Sequence, residues 1–180
     1  MVRIFPIIFI LLWSSAFITT KPIVDNSGPF SALAFRFFFV AVGFYLFILF
    51  QKQSIFVNKK NLFESLISGV FFHGFYLGGV FYSISVGMPT SIAALIVTLQ
   101  PILTNIFAVP FLGEKVSLKQ WIGVLLGFFG ASIVLGIDIG NNIPLLGLIA
   151  TIISLLAITL STIWQKKLSN NLPLSVNNFY

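Results

Sequence analysis

Two long apolar runs separated by a short charged turn constrain the fold of this chain more than any other feature. The runs cover residues 90–112 and 121–136, and the turn between them contains GEKVSLKQ. Taken as a helix, each run is long enough to cross the roughly 30 Å hydrocarbon layer of a bilayer. The turn is too short for anything but a hairpin connection. The stretch therefore predicts a helical hairpin inserted in a membrane.

The composition of the whole chain agrees with a membrane protein. Hydrophobic residues make up 58% and charged residues 8% of its 180 residues, whereas a soluble domain carries about 25% charge. There is no cysteine, which excludes a disulfide framework and a thiolate metal site. The net charge of +6 lies mainly in loops between apolar runs. We therefore predict a lipid bilayer as the partner, and no nucleic acid.

The apolar runs predict an all-α fold, a polytopic transmembrane helix bundle with about six spans. The predicted spans are residues 4–20, 30–50, 62–86, 90–112, 118–137 and 144–164. Arg3 before the first run also fits the start of a signal peptide, but that run lacks a clear cleavage site. Four prolines are predicted at helix ends and two inside the fourth span; they are Pro22, Pro29, Pro89 and Pro144, and Pro101 and Pro110.

The basic residues predict the orientation of the bundle. Alternate loops share one side of the membrane, and eight of the ten basic residues fall on one side: Arg3, Lys52, Lys59, Lys60, Lys115, Lys119, Lys166 and Lys167. Lys21 lies on the other side, and Arg36 falls within a span. Because loops rich in Lys and Arg stay in the cytoplasm, we predict a multi-pass protein of the cell (inner or plasma) membrane with a cytoplasmic N-terminus.

Part of the chain repeats at an offset of 144 residues. The offset pairs Asn26, Pro29, Ser31 and Phe35 with Asn170, Pro173, Ser175 and Phe179, respectively. A repeat of five spans must be inverted in the membrane, because five is odd. Inverted repeats are typical of secondary carriers, with the substrate site at the repeat interface. The second unit would have only its first helix here, so we expect the sequence to be a truncated form of a ten-helix protein.

Three segments together resemble the EamA family of the drug/metabolite transporter superfamily. The first is LLWSSAFITTKPIVDNSGPFSALAFRF, with an arginine in the second span. The second segment has the order S-x-A-A-L, P, G-E-K and Q-W-I-G-x-x-L-G-x-x-G, and the third is STIWQKKLSNNLPLSVNNFY. The resemblance covers nearly the whole chain, and the order of the segments carries it.

The resemblance implies the organisation of the fold and its activity. Such proteins have ten helices in two inverted five-helix repeats and move amino acids or other small metabolites, often outward. It implies a first EamA repeat over residues 1–140 and the start of a second over residues 141–180. Since the second half is absent, the expected partner is either a second copy in a homodimer or the missing C-terminal half.

Two residues in the second and third spans are the first candidates for substrate binding. Arg36 is the one clear charge within a span, and a charge there is costly unless it faces a cavity or a partner. It would contact a substrate carboxylate or phosphate, reach outward to the membrane surface, or bond helix carbonyls. The only histidine, His73, shares a predicted helix face with Tyr76. It would serve packing, or bind substrate or a proton.

Three further candidates lie on the first and fourth spans. Thr98 and Asn105 share a face, which we expect to line the cavity, while Gln100 and Thr104 on roughly the opposite face would bond a neighbouring helix. Trp13 would stack on a ligand or pack in the core. In the fifth span Gly123, Gly127 and Gly130 share a face, which predicts close helix packing.

These observations favour a secondary transporter that exports or imports small metabolites such as amino acids by alternating access. The alternatives are a multidrug-type exporter, a channel-like pore, or an inactive fragment that needs a partner half. No enzyme is expected, because no span offers a carboxylate pair or an H-E-x-x-H pattern. No cofactor and no metal are expected.

Overall fold

The computed structural model describes residues 4–113, 115–135, 143–168 and 172–180. Within these ranges the secondary structure is helical. The elements are α1 (Phe5–Asn26), α2 (Pro29–Phe50), α3 (Lys59–Gly69), a π-helical segment (Val70–Leu77), α4 (Gly78–Ser85), α5 (Thr90–Val97), α6 (Gln100–Leu112), α7 (Leu118–Leu135), α8 (Leu145–Leu168) and α9 (Leu174–Phe179). The end of the predicted fifth span and the predicted repeat boundary at 140/141 lie outside the described residues.

Several of these helices can cross a membrane. Four are long and apolar enough by composition: Pro29–Phe50, Lys59–Ser85, Thr90–Leu112 and Leu145–Lys166. Leu118–Ile133 is a shorter apolar helix, and α1 has 22 residues, or about 33 Å at 1.5 Å per residue. The predicted class, an all-α polytopic helix bundle, is therefore confirmed.

The first helix is longer than predicted. It continues beyond residue 20 to Asn26, so the placement of Pro22 at a helix end was wrong. Proline removes one backbone hydrogen bond of the helix, and side-chain contacts stabilise the turn that follows Pro22. Lys21 and Asp25 form an ion pair at 3.1 Å, and the Asn26 amide donates to the Pro22 carbonyl at 2.8 Å. Pro29 does begin α2, where its missing N–H costs nothing.

The third predicted span is one continuous helix with a π-helical middle. Its ends were predicted to within a few residues, but the change of hydrogen-bond register over Val70–Leu77 was not. A π-helix closes its turns from residue i to i+5, and such segments often occur at functional sites. Beyond this segment, in α4, Ser83 is buried and donates to the Val80 carbonyl at 2.8 Å.

The fourth predicted span is broken between α5 and α6. Pro101 cannot donate to the carbonyl four residues earlier, and its ring clashes with that carbonyl. The chain therefore makes a tight turn at Thr98 and Leu99, in which the Leu99 N–H donates to Ile96 instead. Pro101 lies in the first turn of α6, directly after the break, whereas α6 continues through Pro110.

Helix α8 lies at the centre of the bundle. It packs against α3, the π-helical segment, α4, α5 and α6. Its packed faces carry small polar residues that are fully buried: Thr151, Ser154, Thr159 and Ser161. Ser161 donates to the Ser68 carbonyl of α3 at 3.2 Å, and Gln100 donates to Thr162 at 3.3 Å. The bond from Gln100 to Thr162 confirms the predicted contact of this face with a neighbouring helix, and Gln100 also donates to Thr104 within α6 at 3.0 Å.

Two outer helices complete the bundle. Helix α9 packs on α2 and α3, where Asn177 accepts from Ser65 at 2.7 Å. Helix α7 packs on α5 and α6. The close packing predicted for its glycines does not occur among the described residues, because a Cβ added at Gly123, Gly127 or Gly130 meets no described atom within 4 Å. These glycines therefore do not contact α5 or α6.

Candidate functional site

A cavity of about 270 Å³ lies between α1, α2, the π-helical segment and α4. Four of the six residues predicted to bind substrate line it: Trp13 from α1, Arg36 from α2, and His73 and Tyr76 from the π-helical segment. These residues come from three separate helices, and packing of the helices brings them to one place. Thr20, buried and donating to the Ala16 carbonyl at 2.7 Å, also lines it.

Aromatic rings form most of the wall. Phe72 contacts three other rings edge-on, with centroids 6.5 Å from Trp13, 5.0 Å from His73 and 5.4 Å from Tyr76. Phe37 of α2 lies 4.7 Å from the His73 ring in the same manner. Edge-to-face pairs of this kind fix ring orientation. The wall is thus a connected set of flat side chains that holds its shape without ligand.

Arg36 brings the positive charge into this cavity. It lines the same cavity as His73 and Tyr76. In the described part of the chain, two ion pairs are formed, Lys21–Asp25 and Lys60–Glu64, and neither includes Arg36. Arg36 is exposed in addition to lining the cavity.

The π-helical segment places His73 and Tyr76 side by side on the cavity wall. Sequence periodicity did not reveal the change of register. The available signal was the density of glycines around it, since Gly69, Gly74, Gly78 and Gly79 surround or interrupt the segment. Helix α8 packs against the segment. The Ser154 hydroxyl of α8 donates to its own helix at Ala150 at 2.8 Å and also lies 3.4 Å from the Phe75 carbonyl oxygen.

His73 separates this cavity from a second one. The second cavity, of about 500 Å³, runs between α2, α3 and the π-helical segment towards the end of α9. Phe37, Val40 and His73 line both cavities. These three side chains therefore form the partition between the two cavities.

Thr98 and Asn105 do not join the others. Thr98 is exposed at the break between α5 and α6, where its hydroxyl donates to the Leu95 carbonyl at 2.6 Å. Asn105 lies on α6, and its buried amide nitrogen has no hydrogen-bond partner among the described residues. Neither lines the cavity that holds Arg36. The described residues contain no group of three His, Cys, Asp or Glu side chains suited to a metal ion.

The comparison with known families turns this geometry into an identification. Residues 3–136 match the model of the EamA-like transporter family. The chain belongs to this family. The match covers α1 to α7, which include all six predicted site residues, and it confirms the resemblance drawn from the sequence. No solved structure matches the chain.

Curated members of the EamA-like family align at low identity. A probable amino-acid metabolite efflux pump of Escherichia coli is 24% identical over 92% of this chain and 53% of its own length. The uncharacterized transporter YvbV of Bacillus subtilis is 28% identical over 59% of this chain and 33% of its own length. The chain spans about half the length of the curated relatives it matches, or less. Family and helix content together identify a membrane protein of transporter type.

Proposed function

We propose that this EamA-like protein is a secondary transporter that moves small metabolites such as amino acids across the membrane by alternating access. The cavity between α1, α2 and the π-helical segment is its contribution to the substrate site. The observation that carries the proposal is the convergence of Arg36, His73, Tyr76 and Trp13 on that cavity. The printed name of the Escherichia coli relative supports the substrate class.

The cavity has the properties of a small-molecule site. Ligand pockets are concave, mainly apolar, and carry a few polar groups that fix the orientation of the ligand. Here aromatic and aliphatic side chains surround one cation, one imidazole and one phenol. Arg36 lies seven residues after Pro29, the first residue of α2, which is about 10 Å along the helix axis. At this depth Arg36 would lie inside the membrane-spanning part of the bundle, where a transported substrate passes, and not at its surface.

The partition at His73 suits alternating access. A carrier must open its site to one side of the membrane while closing it to the other. Phe37, Val40 and His73 are shared by two cavities, so moving these side chains would connect or separate them. Channel-like flux would require a continuous open path through the two cavities. The static partition therefore favours a carrier over a pore.

The proposal extends to orientation and partners. The N-terminus lies in the cytoplasm, as the distribution of lysines and arginines predicts. A homodimer, or the C-terminal half that the resemblance implies, completes the transport path. Thr98 and Asn105 remain predicted substrate contacts for a site that forms with that partner. The unpartnered amide of Asn105 supports this, since buried polar groups are normally satisfied.

Counterflow in proteoliposomes tests the transporter proposal. Vesicles loaded with an unlabelled mixture of amino acids and small carboxylates should accumulate the same labelled compounds with saturable, mutually competitive kinetics. Phe72→Leu, which removes a ring from the cavity wall, should lower this exchange about tenfold or more. Phe129→Leu is the matched control, because Phe129 is exposed on α7. Flux that rises linearly with concentration would indicate a pore, and equal rates in both variants would separate the cavity from transport.

A further inference from the structure

We propose that the cavity selects amphipathic monoanions, in which an anionic group pairs with Arg36 and a flat apolar body lies among Trp13, Phe72 and Tyr76. This inference rests on the proposed transport function and adds the chemical class of the substrate. It also predicts which amino-acid derivatives bind best. A carboxylate without a neighbouring ammonium is preferred over the corresponding zwitterion.

The charge of the lining residues determines the charge of the ligand that the cavity prefers. Arg36 is a permanent cation, and none of the described residues that line the cavity is acidic. A lone cation at membrane depth is unfavourable unless it is neutralised or hydrated. A bound anion supplies that neutralisation and accepts charge-assisted hydrogen bonds, which are the stronger class of hydrogen bond.

The aromatic wall sets the shape of the rest of the ligand. Trp13, Phe72 and Tyr76 form a continuous series of edge-to-face contacts, and a planar apolar group packs well against such rings. An apolar cavity of roughly 150 Å³ is enough to hold benzene, whereas this one measures about 270 Å³. There is room for one aromatic ring or branched chain together with a short acidic arm.

An ammonium group finds no acidic side chain among the described residues that line the same cavity. The guanidinium of Arg36 repels a second cation placed next to the carboxylate it binds, and no described lining side chain carries a negative charge. A zwitterion therefore gains the same carboxylate contact but also loses solvation and meets repulsion. The order of affinity is expected to be monoanion, then zwitterion and neutral analogue, then cation.

Ligand binding to the purified protein in nanodiscs tests this order. The chain has three tryptophans, so Trp121→Phe and Trp164→Phe leave Trp13 as a single fluorescence reporter inside the cavity. The probes are 3-phenylpropionate, its neutral amide, L-phenylalanine and 2-phenylethylamine. The acid should bind about 10- to 100-fold more tightly than its amide, the range expected for one charge-assisted contact. This comparison needs no change at Arg36.

Variants at Arg36 then assign the preference to this side chain. Arg36→Gln should reduce affinity for the acid to that of the amide, and Arg36→Lys should retain part of the preference. Lys21→Gln is the charge-matched control, because Lys21 pairs with Asp25 on α1 and does not line the cavity. Unchanged melting temperature and elution volume show that each variant is folded.

The outcomes separate the ligand class from the transport function. Equal affinity for acid and amide, tighter binding of L-phenylalanine than of the acid, or an unchanged preference in Arg36→Gln would overturn the monoanion assignment. Counterflow of neutral or zwitterionic compounds that still depends on Phe72 would leave the transporter standing. Absence of both probe binding and counterflow would overturn both proposals.

Discussion

Gly79 on α4 permits the contact with the central helix α8. A Cβ added at this position would overlap the Ser154 hydroxyl and lie 3.0 Å from the Ala150 carbonyl oxygen. Small residues allow close approach between membrane helices, where packing and interhelical hydrogen bonds replace the hydrophobic effect as the source of association. The same Ser154 hydroxyl contacts the π-helical segment, so Gly79 also affects the support of the cavity wall.

Alanine at two adjacent glycines should change stability in opposite directions. Gly79→Ala is expected to lower the free energy of unfolding, because overpacking costs about 1–3 kcal/mol and outweighs a gain in helix propensity of about 1 kcal/mol. Gly78→Ala is the control and should raise the free energy of unfolding by up to about 1 kcal/mol, since its Cβ would meet only Phe30 at an ordinary 3.7 Å. Unfolding in mixed micelles, followed by circular dichroism, measures both variants. Equal stability of the two would contradict the close approach at Gly79.

The predicted site residues show how far single residues could be interpreted from the sequence. Arg36, His73, Tyr76 and Trp13 were singled out as polar or amphipathic groups in apolar spans, and they meet in one cavity. Thr98 and Asn105 were chosen by the same reasoning but lie elsewhere. The break at Pro101 changes the relation between the helix faces before and after it, and α-helical spacing carries no information about such a break.

Pro101 divides one membrane span into two helices. The turn at Thr98 and Leu99 replaces one α-helical bond by an i to i−3 bond, and the Thr98 side chain bonds a backbone carbonyl there. In lipid, irregular backbone is tolerated where it is buried in protein or lines water. The break therefore requires protection by neighbouring helices or by a solvent path.

Replacing Pro101 by alanine should close the break between α5 and α6. The new N–H can donate to the carbonyl of Val97, a bond with a net value of about 0.5–1.5 kcal/mol. We expect slower hydrogen exchange of the amides from Thr98 to Leu103. Pro110→Ala is the control, because α6 already runs through Pro110 without a break. Exchange that stays as fast as in the parent protein would mean that tertiary packing, and not the proline, sets the turn.

Apart from the end of α1, the ends of the predicted spans could be placed better than the structure of their interiors. Apolar length and proline positions located the start of α2 and the end of α6, because these depend on local chemistry. The π-helical segment depends instead on contact with α8, including the Ser154 contact with Phe75. The extension of α1 past Pro22 depends on side-chain bonds at Asp25 and Asn26. Hydropathy alone does not encode such contacts.

At the level of the whole molecule, the absence of cysteine allows its orientation to be measured directly. Single cysteines introduced at Ser27, between α1 and α2, and at exposed Lys60 lie on opposite sides of the predicted membrane. A membrane-impermeant maleimide should label Ser27→Cys in intact cells and Lys60→Cys only after permeabilisation. The unmodified protein provides the background. The reverse pattern of labelling would overturn the cytoplasmic N-terminus.

The arrangement of the helices around α8 was not predictable from apolar length, because the predicted spans are similar in length and hydropathy. The buried hydroxyls of Thr151, Ser154, Thr159 and Ser161 were the available signal, since polar residues on membrane helices favour helix contacts. The assignment of α8 to a second repeat remains a prediction. Helix α9 begins at Leu174, directly after Pro173, which the offset of 144 pairs with Pro29 at the start of α2.

The central place of α8 has a consequence for biosynthesis. The ribosome makes α1 to α7 before it makes the helix around which α3 to α6 are arranged. Until α8 leaves the translocon, the polar faces of Ser68 and Gln100 lack the hydroxyl partners that α8 provides. Until then α3 to α6 lack their central packing partner, so the bundle reaches its final packing only after α8 has been inserted.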